Sequence, residues 1–426
     1  MSASDARPLP AVARERWLDD LGKAGWRAGP SEPVAERVPV AAALGRIAAG
    51  PVAARWSSPR ADCAAMDGIA VPAAALTPVG RDGRMRLPAG AFSWIDTGDP
   101  MPAGTDTVVM RERLLPQADG GVIVTPAASR AQAGRNVRLA GEDFRSGDPL
   151  LPAGRRLRAG DLAAAAAGGH LTLAVARRPV VAVIPTGDEI RPVGSMLRHG
   201  DIVDTNSLML AARCHQLGAV PVVSDVVPDD PDALAGQLRQ AAPVADLILV
   251  IAGSSRGRGD HAGAVIGQVG GVAVAGVALR PGHPAILGHV KAAAEAAHRD
   301  RAAGDRRVAP RAGVVPVIGL PGYPLAAAVV FELFAVPMLA AITGQSPSGE
   351  CLRARLDRDW TSPSDVEEWV LVTLCPGGSG RLPLATPARR GASSISLLAR
   401  ADAWWRVPHG QGAFPAGSEV ELLPVR

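Results

Sequence analysis

The chain has 426 residues, of which 47% are hydrophobic and 20% charged; that balance excludes a disordered polymer, and the length is too great for one hydrophobic core. Its 45 basic and 41 acidic residues leave a formal net charge of +4. Every basic residue except Lys23 and Lys291 is arginine, so the excess reads as a compositional habit, and no basic stripe interleaved with aromatics marks a nucleic-acid surface.

Taken from the N-terminus, Met1 to Arg16 carries acids and prolines and no apolar leader core. No apolar stretch of membrane-spanning length is read in the sequence, so no membrane span is expected. Residues 1–45 and 145–178 are expected to form a discontinuous linker domain, and 46–144 an inserted β-rich domain. Pro and Gly punctuate this section, and short apolar runs such as Thr107–Met110 and Val122–Thr125 suggest strands. Cys63 falls here; Cys214, Cys351 and Cys375 follow, without a C-x-x-C pair or zinc-finger spacing, which points to a reducing compartment and a cytoplasmic protein.

Residues 179–345 alternate strand and helix. Val180–Ile184 is a strand candidate followed by Pro185-Thr186-Gly187-Asp188-Glu189. Asp204-Thr205-Asn206-Ser207 supplies cap residues for a helix to about Leu217, where Gly218 stops it. Val220–Val227 is the next strand, and Pro231 opens the helix that leads to Leu247–Ile251. That last run is β-branched and unbroken, as in a strand buried on both faces. A further helix, a strand Val272–Leu279, a strand Val314–Leu320 and a helix from Leu325 to about Leu339 complete the section. Residues 291–312 read as a surface insertion. The alternation predicts a mostly parallel sheet with helices on both faces. Residues 346–426, with strand candidates Trp369–Leu374, Ser394–Leu398, Trp404–Val407 and Glu419–Val425, fit a small β-barrel. The fold class is therefore multidomain α/β plus β.

In such sheets ligands sit beyond the carboxyl ends of the strands, where three loops fall: 185–189, 252–260 and 321–324. The glycines of Gly253-Ser254-Ser255-Arg256-Gly257 let backbone N–H groups approach an anion, and Asp260 can hold a hard cation beside it. An ordinary glycine-rich turn is the competing reading. Asp188 and Glu189 offer Mg²⁺ ligands or a cap, whereas Asp229 and Asp230 before Pro231 suit a helix start. Arg280-Pro281-Gly282-His283-Pro284 is a rigid basic turn that can meet an oxyanion or simply face solvent. Asp67 before Gly68, Thr97 within Asp96-Thr97-Gly98-Asp99, and Asp143 after Glu142 read singly as turn chemistry. His170, His215 and His289 read as structural or exposed, and Cys214 as core.

In order along the chain, Ala65-Met66-Asp67-Gly68, Thr97-Gly98-Asp99-Pro100-Met101-Pro102, Asn136 to Asp143, Pro185-Thr186-Gly187-Asp188-Glu189, Asp204-Thr205-Asn206, Asp229-Asp230-Pro231, Arg280-Pro281-Gly282 and Gly319-Leu320-Pro321-Gly322 resemble the molybdopterin molybdenumtransferase family, MoeA and the gephyrin E domain. The resemblance runs from about Pro33 to the C-terminus. It implies an elongated homodimer that inserts molybdenum from molybdate into adenylylated molybdopterin with Mg²⁺ and releases AMP. It further implies that Asp67, Asp143, Glu189 and Asp260 are catalytic, with Asp67, Glu189 and Asp260 on the metal. Thr97, Thr186, Gly187, Asp188, Asp229, Gly253, Ser254, Ser255, Arg280, His283, Pro321 and Gly322 would hold the pterin nucleotide and the oxyanion. A molybdopterin adenylyltransferase and apo-molybdoenzymes are the implied protein partners. The chain departs from the family pattern at Ala252, at His283 where the family has lysine, at Tyr323 where it has asparagine, and at Ala326 where it has serine. These departures leave open a pterin-binding scaffold without turnover, and the α/β section leaves open adenylyl transfer.

Overall fold

The structure is a computed structural model that describes residues 7–29, 35–76, 84–125, 132–252, 261–292, 313–345, 351–378 and 380–425. The chain divides into two compact units, residues 35–176 and the remainder. Helix α1 (Pro10–Lys23) opens the chain and belongs to the second unit.

The 35–176 unit is tied at its ends. Strand β1 (Ala35–Pro39) pairs antiparallel with β5 (Thr172–Ala176), from Ala35↔Ala176 to Pro39↔Thr172. Between them β2 (Gly68–Val71) lies between β3 (Ser93–Ile95) and β4 (Thr107–Met110). A second three-stranded sheet joins Met85–Leu87, Val122–Val124 and Leu114–Pro116. Ile69, Val71, Leu87, Val109 and Val124 share one core between these sheets. Gly68 is required there: a Cβ would lie 1.9 Å from the Val109 carbonyl oxygen. Helix α2 (Ala159–Ala167) starts where Asp161 accepts the Arg158 backbone N–H at 2.8 Å and pairs with Arg155.

In the second unit a six-stranded sheet is built from β6 (Val180–Pro185), β7 (Val220–Val223), β8 (Leu247–Ala252), β9 (Gly270–Ala275), β10 (Ile286–Ala292) and β11 (Gly313–Pro321), in the order β7-β6-β8-β11-β10-β9. The first four run parallel, whereas β10 is antiparallel to both neighbours. All six residues of β8 are buried. They alternate between two cores: Leu247, Leu249 and Ile251 face α1, α3 (Thr205–Gln216) and the helical segment Pro324–Thr343, and Ile248, Val250 and Ala252 face α4 (Pro231–Ala241) and α5 (Ala262–Val269). The Asp204 and Asp230 side chains cap α3 and α4 through the N–H groups of Ser207 and Asp232. Cys214 is fully buried in α3.

Several expectations are corrected. The strand expected over Val272–Leu279 is broken at Gly276, whose φ is +92°. Leu279–Arg280 then leaves the sheet and pairs with the C-terminal domain. The strand expected to run to Val227 ends at Val223. Lys291, read as the start of an insertion, lies inside β10, and residues 293–312 fall outside the described residues. A stretch long and apolar enough to cross a membrane does exist, at Pro324–Thr343, and it is largely buried. It comprises α6 (Pro324–Val330), a π-helical turn Phe331–Ala335 and α7 (Val336–Thr343). Pro337 lacks the N–H that an unbroken α-helix needs, which accounts for the widened turn before it. Phe331, Phe334 and Met338 are core residues.

The C-terminal domain closes as a five-stranded barrel of β12 (Leu352–Leu356), β13 (Glu367–Cys375), β14 (Leu384–Pro387), β15 (Ala403–Val407) and β16 (Glu419–Pro424), with Leu279–Arg280 added along β13. Ser394–Leu398, expected as a strand, is instead the N-cap and first turn of α8 (Ile395–Arg400). Leu397, Leu398 and Ala401 pack on the larger core at helical spacing, and a run this short has no decisive period of its own.

Candidate functional site

A cavity of about 1030 Å³ opens at the carboxyl ends of β6, β8 and β11, and the barrel's β13 and the segment 388–393 close its far side. The loop after β6 is anchored by Thr186, whose backbone N–H and hydroxyl both donate to the Ile251 carbonyl, at 3.0 and 2.9 Å. Gly187 follows at φ +132°, a backbone conformation that favours glycine, and the Glu189 carboxylate folds to 2.9 Å from where a Cβ would stand. Glu189 is exposed and lines the cavity. The loop after β11 is held by Asn206 of α3, which donates to the Gly322 carbonyl at 2.8 Å.

Of the residues read from the sequence, Thr186, Glu189, Arg280, His283, Pro321 and Gly322 line this one cavity. Gly187, Asp188 and Asp229 are not among its lining residues: the Asp188 carboxylate accepts the Asp229 N–H at 3.2 Å, in the turn before α4. Gly253, Ser254, Ser255 and Asp260 lie outside the described residues. Asp67, Thr97 and Asp143 belong to the 35–176 unit. There Thr97 donates to the Asp67 carboxylate twice, through its backbone N–H at 2.8 Å and its hydroxyl at 2.7 Å. Those two bonds, the backbone one first, hold the Asp67 carboxyl below the usual aspartate range. Asp143 is exposed, and its N–H donates to the Ser58 carbonyl at 3.0 Å. Among the described residues no three acids, histidines or cysteines gather as a metal cluster.

The far wall carries residues the sequence reading missed. Glu368 lines the cavity with its side chain only 3% exposed. Arg390 donates to its two oxygens at 2.7 and 3.1 Å, also bonds the Thr361 carbonyl, and stacks over Trp360 at 4.4 Å. The Trp360 indole N–H donates to the same carboxylate at 3.1 Å. Arg280, opposite Glu368 in the parallel register, brings its Nε to 3.9 Å. Burial acts to raise the Glu368 pKa, but the hydrogen bonds, that from Arg390 foremost, outweigh it and hold the group below the usual glutamate range. The available signal was Arg389-Arg390-Gly391 between small residues, which an arginine-rich composition conceals.

Three family models match in series: the MoeA N-terminal region (domain I and II) over residues 11–169, the probable molybdopterin binding domain over 182–341, and the MoeA C-terminal region (domain IV) over 353–425. The molybdopterin molybdenumtransferase 2 of Mycobacterium tuberculosis is 30% identical over 408 residues, 90% of this chain and 94% of that one. The chain belongs to the molybdopterin molybdenumtransferase family. Other members include the enzyme of a Nostoc species, 32% identical over 74% of this chain and 71% of its own. That of Bacillus subtilis is 29% identical over 90% and 88%. A crystal structure of a Pyrococcus horikoshii molybdopterin biosynthesis MoeA protein superposes with a TM-score of 0.78 at 27% identity, covering 99% of this chain and all of that one. Within this family member, the departures His283, Tyr323 and Ala326 all line the cavity.

Proposed function

We propose that the chain acts in molybdenum cofactor biosynthesis, inserting molybdenum from molybdate into adenylylated molybdopterin and releasing AMP, with Mg²⁺. The observation that carries this reading is the cavity at the strand ends, whose lining brings together a carboxylate, Glu189, and three arginines, Arg280, Arg389 and Arg390. A pterin nucleotide is a flat heterocycle with an anionic linkage, and a large, partly apolar cleft with basic groups suits both parts. Neither Glu189 oxygen has a hydrogen-bond partner among the described residues, and Asp67 uses one oxygen for Thr97. Exposed carboxylates with open lone pairs are the ligands Mg²⁺ takes, which supports Asp67 and Glu189 as ligands; the family resemblance adds Asp260. When bound, the ion would neutralise charge on the pyrophosphate during its cleavage. The arginines would hold the oxyanion and orient it against the pterin, and Asp143 completes the proposed catalytic set.

We place the activity in the cytoplasm and in a homodimer, fed by a molybdopterin adenylyltransferase and serving apo-molybdoenzymes. The test is AMP release from adenylylated molybdopterin with Mg²⁺, with and without molybdate. Molybdate should drive release. Glu189→Gln should lower it about 100-fold, the upper end of the loss when a metal site loses a supporting group. A second reading, a pterin-binding scaffold without turnover, draws on Ala252, His283, Tyr323 and Ala326 in the cavity wall. It prevails if the nucleotide binds and no AMP appears under any condition.

A further inference from the structure

One aromatic side chain stands open in the cavity. Tyr323 is the chain's sole tyrosine, lines the cavity and is 57% exposed. Its hydroxyl has no hydrogen-bond partner, and its ring no ring contact, among the described residues. The backbone that carries it is fixed on both sides. Asn206 holds the Gly322 carbonyl at 2.8 Å. Pro324 opens α6, and the residue before a proline is confined to extended backbone, here φ −74° and ψ 127°. The Tyr323 carbonyl accepts the Ala327 N–H at 2.9 Å, and the Leu325 N–H donates to the Ala392 carbonyl at 3.1 Å. Leu325, Ala326 and Ala327, which follow, are buried. The ring is therefore the exposed part of a rigid turn. Leaving it uncovered forfeits the stabilisation that burying an aromatic ring supplies. With two side-chain torsions on a fixed backbone, it loses little entropy when a ligand covers it. Where the family pattern has asparagine, with no aromatic face, this chain presents one.

We infer that Tyr323 is a specificity-determining residue: its ring is a platform on which a fused aromatic heterocycle of the substrate stacks. The heterocycle is the pterin or the adenine of the same nucleotide. Stacking reads an aromatic face and no particular hydrogen-bonding edge, so either ring suits the platform. The inference rests on the proposed reaction of adenylylated molybdopterin, which brings both rings to this cavity.

The sole tyrosine supplies its own readout. The full chain made with 3-fluorotyrosine gives a fluorine NMR line that needs no assignment. AMP and 6-hydroxymethylpterin are titrated separately, by NMR and by calorimetry. The ligand that stacks should shift the line through its ring current, which identifies the heterocycle. Tyr323→Ala should weaken that ligand about fivefold or more, the low end for losing a ring stacked on a base. Tyr323→Phe keeps the face and should keep the affinity, whereas Tyr323→Asn should behave as the alanine variant does. A ligand that binds without moving the line overturns the platform and leaves the proposed function standing. So does wild-type affinity for both ligands in Tyr323→Ala, or a loss in Tyr323→Phe as large as in Tyr323→Ala. A wild-type chain that binds neither ligand overturns both.

Discussion

At the scale of single residues, the hydroxyl and backbone of Thr97 set the charge of Asp67. Because the folded pKa lies below the unfolded value of about 3.9, the ionised form is favoured by folding. Its contribution is complete above the ordinary aspartate range and is lost as pH falls through the folded pKa. Thr97→Val removes one of the two donors and should raise the Asp67 midpoint toward the ordinary value in an NMR titration; an unchanged midpoint would assign the shift to the backbone bond alone. Glu368 has the same sign, so only acid below the ordinary glutamate range should protonate it and release Arg390. The Cys214 thiol behaves oppositely. Burial pushes the Cys214 thiol up to about 12, leaving it neutral and unreactive at pH 8. Cys63 is also buried, whereas Cys351 and Cys375 are exposed. A thiol reagent should therefore modify Cys351 and Cys375 in the native protein, and Cys63 and Cys214 only after denaturation.

At the scale of elements, close strand packing in the antiparallel half of the sheet depends on glycine. A Cβ at Gly288 of β10 would meet the Gly271 carbonyl oxygen at 2.3 Å, with Ile266 of α5 at 3.1 Å on the same side. A backbone atom cannot rotate away, so Gly288→Ala should cost about 3 kcal/mol, read as a lower urea midpoint at unchanged slope. This strand also marks where the sequence ceased to be legible. The run Leu247–Ile251 announces itself because its five residues are all large and apolar, and all five are buried. Ile286–Ala292 mixes glycine, histidine and lysine with its apolar residues: His289 is buried against Asp20 at 2.9 Å, and Lys291 is exposed. Its period is thereby lost. The site divides in the same way. Thr186, Glu189 and Gly322 follow buried strands in loops marked by glycine and proline. Glu368 and Arg390 acquire meaning only when the barrel closes, because their pairing spans chain-distant strands that no local pattern predicts.

At the scale of the whole molecule, the 35–176 unit carries what independent folding requires. Its two ends lie side by side in the β1–β5 pair, so excision leaves no long gap to bridge. Arg46 locks that closure, donating to the Ala176 carbonyl at 2.8 Å and pairing with Glu36. The unit has hydrophobic clusters of its own, around Ile69 and Val109, and around Leu157 and Val175. A chain of this size buries enough apolar surface to fold alone. A fragment of residues 35–176 should therefore give a dispersed amide spectrum and unfold cooperatively. The causes of the Asp67 shift, Thr97 first and then Arg111, lie wholly within it. Asp67 should thus titrate in the fragment at the same depressed midpoint as in the full chain. A folded fragment in which Asp67 returns to the ordinary aspartate range would show that groups outside the unit, and not Thr97, keep this carboxylate charged.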